Sequence, residues 1–169
     1  MISSQYKGNE YVMANPIYEI DEAIKALSWL IEEMESRYQT LENHGVKNIK
    51  EYKNEIGRSM PYLITVIDEC ADLIMTDERA EKLIIRLAQK ARAVGIHLVI
   101  GTQRPSVDVI SGLIKANFPT RISFMTSSRM DSQVVLDQPG AEQLIGKGDM
   151  LFLNPHSRGL QRLQGLFTK

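Results

Sequence analysis

Apolar residues fall into two kinds of pattern along this chain, and each predicts a different element. Ile20, Ile24, Leu27, Ile31, Met34, Tyr38 and Leu41 recur at alternating steps of four and three, one apolar stripe on a long helix over 19–44. Glu32, Glu33, Glu35 and Arg37 lie off that stripe and are expected to face solvent. Gly45 suits a C-terminal cap, and residues 45–60 read as a polar connector. Two continuous apolar runs then follow, Leu63-Ile64-Thr65-Val66-Ile67 and His97-Leu98-Val99-Ile100-Gly101. Runs of this length bounded by polar residues predict strands covered on both faces of a parallel sheet. Between them, Leu83, Leu87, Ala91 and Val94 make the apolar face of a helix over 79–94, stopped by Gly95.

Beyond the second strand the pattern weakens. A short helical stretch is expected over 107–115, a break at Asn117-Phe118-Pro119, a third strand over 121–126 and a fourth over 150–153. A short helix is expected near 141–145. Residues 1–18 show no clear periodicity and read as a lead-in, leaving 19–169 as one domain. Alternation of strand and helix through the middle predicts an α/β sheet.

The polar clusters at the carboxyl ends of the two strands carry the candidate chemistry. The first strand runs into Asp68-Glu69 and the second into Thr102-Gln103-Arg104. Ligands of open parallel sheets bind just beyond the carboxyl ends of the strands. Nucleotide triphosphate hydrolysis needs one carboxylate for the Mg²⁺ shell and another for the attacking water, which Asp68 and Glu69 could supply. An amide at the neighbouring strand tip, Gln103, could contact the γ-phosphate. Polar residues simply ending a strand are the plainer alternative for either cluster taken alone.

Composition narrows the field. The chain has 169 residues, a net charge of −1, 43% hydrophobic and 24% charged residues, which fits one soluble globular domain. It is not broadly basic, so DNA contact must come from locally placed cations. Cys70 is the only cysteine, which excludes an intrachain disulfide and a cysteine-rich metal site. With no signal-like or membrane-spanning stretch, the chain is expected to be cytoplasmic. His97 reads as a structural histidine, and His44 and His156 lack metal-ligand spacing.

The segment 140–148, Gly-Ala-Glu-Gln-Leu-Ile-Gly-Lys-Gly, superficially resembles a phosphate-binding loop. It has five residues where that loop needs four, and Gly148 stands where the loop needs Ser or Thr. No Gly-Lys-Ser/Thr occurs anywhere in the chain. Arg86, Lys90 and Arg92 read as a solvated helix face, or as the source of an arginine reaching a neighbouring subunit. Lys115, Arg121 and Arg129 read as surface cations, or with Arg104 as the lining of a phosphate-tracking channel.

Several ordered blocks together resemble the FtsK/SpoIIIE family of hexameric DNA translocases. They begin near Ala23 and include Glu33-Met34-Glu35, Arg37-Tyr38, Gly45-Val46-Lys47-Asn48-Ile49 and Ile67-Asp68-Glu69. The strongest are residues 86–93, Gly95-Ile96-His97-Leu98 and the run 102–110 from Thr102-Gln103-Arg104-Pro105 to Ile110. The resemblance implies an α/β fold: a partial RecA-like P-loop NTPase core, with a mostly parallel sheet flanked by helices. It implies ATP and Mg²⁺ as cofactors of the intact motor, double-stranded DNA as partner, a homo-hexamer, and a role in chromosome segregation at cell division. By position, Asp68 corresponds to the Walker B, magnesium-associated aspartate and Glu69 to the catalytic glutamate. Gln103 corresponds to the γ-phosphate sensor and Arg92 to the arginine finger, with Arg86 the lesser candidate. Arg104, Lys115 and Arg129 correspond to positions facing DNA in the central channel.

Two departures shape the expectation. The family's phosphate-binding loop and first strands find no match in residues 1–18, and its winged-helix domain would follow Phe167. The isolated chain is therefore expected to lack substantial ATPase activity. Two alternatives remain: a non-enzymatic module joining a hexamer, or a separate chain supplying the N-terminal half, in trans; and a fragment of a secretion or conjugation ATPase.

Overall fold

A computed structural model describes residues 9–156 and 159–166. Helix α1 (Ile20–Asn43) buries Ile24, Leu27, Leu30, Ile31, Met34 and Leu41, the face given by its spacing. Gly45 ends it in the left-handed region (φ 69°), donating to the Glu42 carbonyl, while the Val46 N–H reaches the Leu41 carbonyl.

Arg37 departs from expectation. Its side chain is 7% exposed rather than solvated. The guanidinium donates to Glu33 Oε1 at 2.7 Å and to the carbonyls of Pro61 and Val94 at 2.8 and 2.9 Å. These two carbonyls lie at the entries to the two parallel strands, so one buried cation staples α1 to both. A residue off the apolar stripe is buried here because it satisfies backbone groups that no helix or ladder reaches.

The connector also departs from expectation, because part of it is helical. Helix α2 (Ile49–Glu51) continues through a wider π-type turn at Tyr52–Ile56 and buries Ile49 and Tyr52. Asn48 caps it, accepting from the Lys50 and Glu51 N–H groups, while Glu51 accepts from Asn48 Nδ2 and the Lys47 N–H. That reciprocal pairing over three residues is a variant of the capping box, with Glu51 taking the N–H of the residue before the cap.

Strand β1 (Leu63–Ile67) pairs in parallel with β2 (Ile96–Ile100), Leu63 opposite Ile96 and Ile67 opposite Ile100. Helices α3 (Cys70–Thr76) and α4 (Glu78–Lys90) lie between them in the chain. One core cluster joins α1, α3, α4 and the inner face of the pair, with Met34, Ile84, Leu87 and Val94 fully buried. The other face of the pair is open rather than covered: Ile64, Val66 and Val99 are 70%, 67% and 54% exposed.

Helix α5 (Gly112–Asn117) starts later than its pattern predicts, because Ser111 caps it by accepting from the Ile114 N–H. Helix α6 (Arg129–Leu136), absent from the expected elements, is capped by Ser128 accepting from the Asp131 N–H. The helix expected near 141–145 is a single 3₁₀ turn, Ala141–Gln143.

The α/β class holds, and its parallel part is the β1–β2 pair. The remaining strands, β3 (Arg121–Phe124), β4 (Asp149–Leu153) and β5 (Leu160–Gln164), form a separate antiparallel sheet in the order β3-β4-β5. Only six residues, 154–159, join β4 to β5. A parallel crossover needs a dozen or more, so this link enforces reversal.

Candidate active site at the strand tips

The carboxyl ends of β1 and β2 are held close by main-chain bonds. The Gly101 N–H donates to the Ile67 carbonyl at 2.8 Å, and the Cys70 N–H donates to the Gly101 carbonyl at 2.9 Å. A Cβ on residue 101 would sit 2.8 Å from the Asp68 carbonyl oxygen, so only glycine permits this approach. Asp68-Glu69 and Thr102-Gln103 thus meet at one edge of the parallel pair.

Glu69 sits at the centre. It caps α3 by accepting from the Ala71 N–H at 3.2 Å. Its carboxylate also accepts from the Thr102 hydroxyl at 2.5 Å and the Gln103 N–H at 2.8 Å. Partial burial pushes this carboxyl upward, and the bonds from Thr102, Gln103 and Ala71, with the Arg104 charge, outweigh it and hold the group below its ordinary value. Asp68 is exposed and its carboxylate makes no hydrogen bond among the described residues. An unengaged carboxylate at a strand end suits Mg²⁺, which keeps several waters and takes one or two carboxylates plus substrate phosphates. No group of three or more His, Cys, Asp or Glu side chains among the described residues could hold a metal by itself. Gln103 is exposed beside Arg104, whose guanidinium lies 3.4 Å from Asp72 Oδ1. Next to Glu69, Cys70 is buried and its thiol is pushed up to about 11 by burial and by the Glu69 charge, so it stays protonated at neutral pH.

The other candidates are not part of this cluster. Arg92 lies beyond the end of α4, in the turn that leads into β2, at the opposite end of the parallel pair. A five-residue strand separates it from the tips by about 16 Å. It is exposed and makes no ion pair among the described residues, whereas Arg86 pairs with Glu35 at 2.9 Å. Lys115 donates to Asp137 Oδ1 at 2.6 Å, and Arg121 approaches Asp137 Oδ2 at 2.9 Å. Arg129 is exposed at the first position of α6. His97 is exposed and stacks on Tyr62 at 5.6 Å between ring centroids. Residues 140–148 lead into β4 rather than a helix, unlike a phosphate-binding loop.

Sequence reasoning did not single out Thr102 for contact with Glu69. Its signal was the Thr-Gln pair itself, which begins two residues beyond the end of β2, next to the tip of β1.

A parallel strand pair with helices packed on one face and polar clusters at the strand tips has the architecture of a P-loop ATPase type of fold. A family profile described as FtsK/SpoIIIE family matches residues 4–107. The chain belongs to the FtsK/SpoIIIE family. The motif blocks start near Ala23, and the profile extends the resemblance upstream to residue 4. The chain is 45% identical to DNA translocase FtsK 2 of Neisseria meningitidis, over 98% of this chain and 19% of that protein. It is 49% identical to DNA translocase SftA of Bacillus subtilis, over 96% of this chain and 18% of that protein. It thus spans about a fifth of the length of these curated relatives. Among solved structures it resembles the pCW3 conjugation coupling protein TcpA in its monomer form with ATPγS. That match has a TM-score of 0.82 and 34% identity, over 95% of this chain and 49% of that one. The cytoplasmic domain of the Thermomonospora curvata type VII secretion ATPase EccC matches with a TM-score of 0.78 and 26% identity, over 88% of this chain and 18% of that one.

Proposed function

We propose that this chain is the strand-tip half of an ATP-driven double-stranded DNA translocase motor acting in chromosome segregation at division. The observation that carries the reading is Glu69, held as a carboxylate between the tips of β1 and β2 with Asp68 and Gln103 beside it. In this reading Asp68 holds the water shell of Mg²⁺, Glu69 polarises the attacking water and Gln103 senses the γ-phosphate. Arg92, far from these tips, serves the ATP of the next subunit in a homo-hexamer. Arg104, Lys115 and Arg129 face DNA, where phosphate contacts give a sequence-tolerant, salt-sensitive grip. For Lys115 this requires exchanging Asp137 for a phosphate.

The 169 residues contain no Gly-x-x-x-x-Gly-Lys-Ser/Thr segment. ATP gripped only by Asp68 and Gln103 lacks the backbone N–H cradle and lysine that hold its phosphates. The isolated chain is therefore inactive, and a complementing N-terminal half, in the same or a separate chain, supplies the grip. The open apolar face of β1–β2 supports this reading, because exposed sheet faces of this kind mark contact surfaces. The likeness to TcpA favours a conjugation motor as the second reading. The higher identity to DNA translocases, 45–49%, weighs for the first.

Steady-state ATP hydrolysis by this chain, with and without duplex DNA and beside Glu69→Gln, tests the reading. The expected result is no turnover above the Glu69→Gln background. DNA-stimulated turnover that disappears in Glu69→Gln would show that another segment of the chain grips the phosphates.

A further inference from the structure

We infer that Thr102 is a positioning residue that, with the main-chain N–H of Gln103, parks the Glu69 carboxylate against the tip of β2. The inference rests on Glu69 being the water-activating carboxylate. Glu69 Oε1 accepts from the Thr102 hydroxyl and the Ala71 N–H, at 2.5 and 3.2 Å, and Oε2 accepts from the Gln103 N–H at 2.8 Å. Each carboxylate oxygen has two lone-pair sites. Oε1 is therefore fully engaged, and one site on Oε2 remains for a water.

The direction of the Thr102 bond is fixed. Its oxygen accepts from the Arg104 N–H at 3.0 Å, so its single proton goes to Glu69, the shorter of its two acceptor contacts. The result is a polarised chain from the Arg104 N–H through the Thr102 hydroxyl to Glu69, with the short spacing of a charge-assisted bond.

The consequence is mechanical. Gln103, the sensor in this reading, offers its side chain to solvent and its N–H to Glu69. A single peptide unit therefore joins the phosphate sensor to the water-activating group. A displacement of Gln103 would therefore be felt directly at Oε2, beside the lone-pair site left for the attacking water. Valine at 102 keeps the shape of threonine and removes the donor; serine keeps the donor.

The test is the ¹³C shift of the Glu69 side-chain carboxyl at one neutral pH, with amide hydrogen exchange at Gln103, on the full chain without nucleotide. Thr102→Val is expected to shift the Glu69 carboxyl resonance away from its wild-type position, and to speed Gln103 exchange about fivefold. Thr102→Ser is expected to restore both, which a role in shape alone would not do. A Thr102→Val chain with Glu69 and Gln103 at wild-type values overturns the inference, as does a Thr102→Ser chain that behaves like Thr102→Val. Neither readout involves hydrolysis, so failure of the ATPase reading would be a separate result, seen as turnover indifferent to Glu69→Gln.

Discussion

The half built on α1, α4 and the β1–β2 pair is joined by a continuous apolar cluster running from Ile24 to Ile114. The β3–β4–β5 half rests on a smaller cluster around Leu136, Ala141 and Leu144, and on ion pairs centred on Asp137 and Asp149. The difference separates two demands. Candidate hydrolytic groups need fixed geometry, and their tips are locked by main-chain bonds above a buried apolar core. Two of the candidate DNA-facing cations, Lys115 and Arg129, sit on short helices flanking β3, and Lys115 is neutralised by an exchangeable carboxylate. Exchangeable charge suits contacts that must be made and broken along a polyanion.

Truncating the core should give the largest effect. Leu87→Ala, at a fully buried position, is expected to cost about 3 kcal/mol in urea unfolding. Leu144→Ala, in the smaller cluster, should cost less; equal losses would remove the asymmetry between the halves. Next comes Arg37→Met, which keeps the apolar stem and leaves the Pro61 and Val94 carbonyls without their donor. A loss of about 2 kcal/mol is expected by the same measurement, and an unchanged midpoint would mean Arg37 staples nothing. Gly101→Ala should cost about 1.5 kcal/mol, because the new Cβ meets backbone rather than a flexible side chain. Amide shifts at Gln103 and Cys70 would show the tips moving apart.

On the charge-held side the readout is pH. The Arg162 guanidinium and the Ile145 N–H hold the Asp149 carboxyl at about 2. Its folded value lies below its unfolded one of about 3.9. The stabilisation is therefore complete above that unfolded value and is lost as pH falls towards about 2. Asp149→Asn should flatten the wild-type decline between pH 4 and 2 in thermal melts, a window taken from about 3.9 unfolded and about 2 folded. The smallest effect belongs to Asp137→Asn, which keeps a residue tolerant of the left-handed backbone there (φ 60°) and releases Lys115 and Arg121. A stability change below about 1 kcal/mol is expected, together with tighter, more salt-dependent binding of duplex DNA by an assembled ring. Unchanged binding would count against Lys115 as a DNA contact.

The elements legible in the sequence were those with strong periodicity: α1, α4 and the two parallel strands emerge within a few residues of their observed ends. The tip cluster was legible too, because strand order and direction follow from the βαβ pattern. Less visible was anything set by backbone satisfaction. Arg37 lies off its stripe, and its burial is decided by two carbonyls contributed from 24 and 57 residues away. Helix α2 carried its signal in Asn48-x-x-Glu51, and α6 in Ser128-x-x-Asp131, but both are too short for an apolar period to stand out. Strand β5 alternates weakly, since four of its five residues are exposed. The open face of β1–β2 shows the limit of reading burial from apolar runs, because such a run reports what a strand can cover rather than what covers it here.

The central claim is that Glu69, between the two tips, activates water for ATP hydrolysis. DNA-stimulated hydrolysis tests it most directly, measured on a hexamer-forming relative whose matching segment is replaced by this chain, with Glu69 or with Glu69→Gln. The account predicts DNA-stimulated turnover with Glu69 and a loss of at least 100-fold with Glu69→Gln, on the order of what removing one charge-stabilising catalytic group costs. A Glu69→Gln hybrid that hydrolyses ATP as fast as its parent would contradict it.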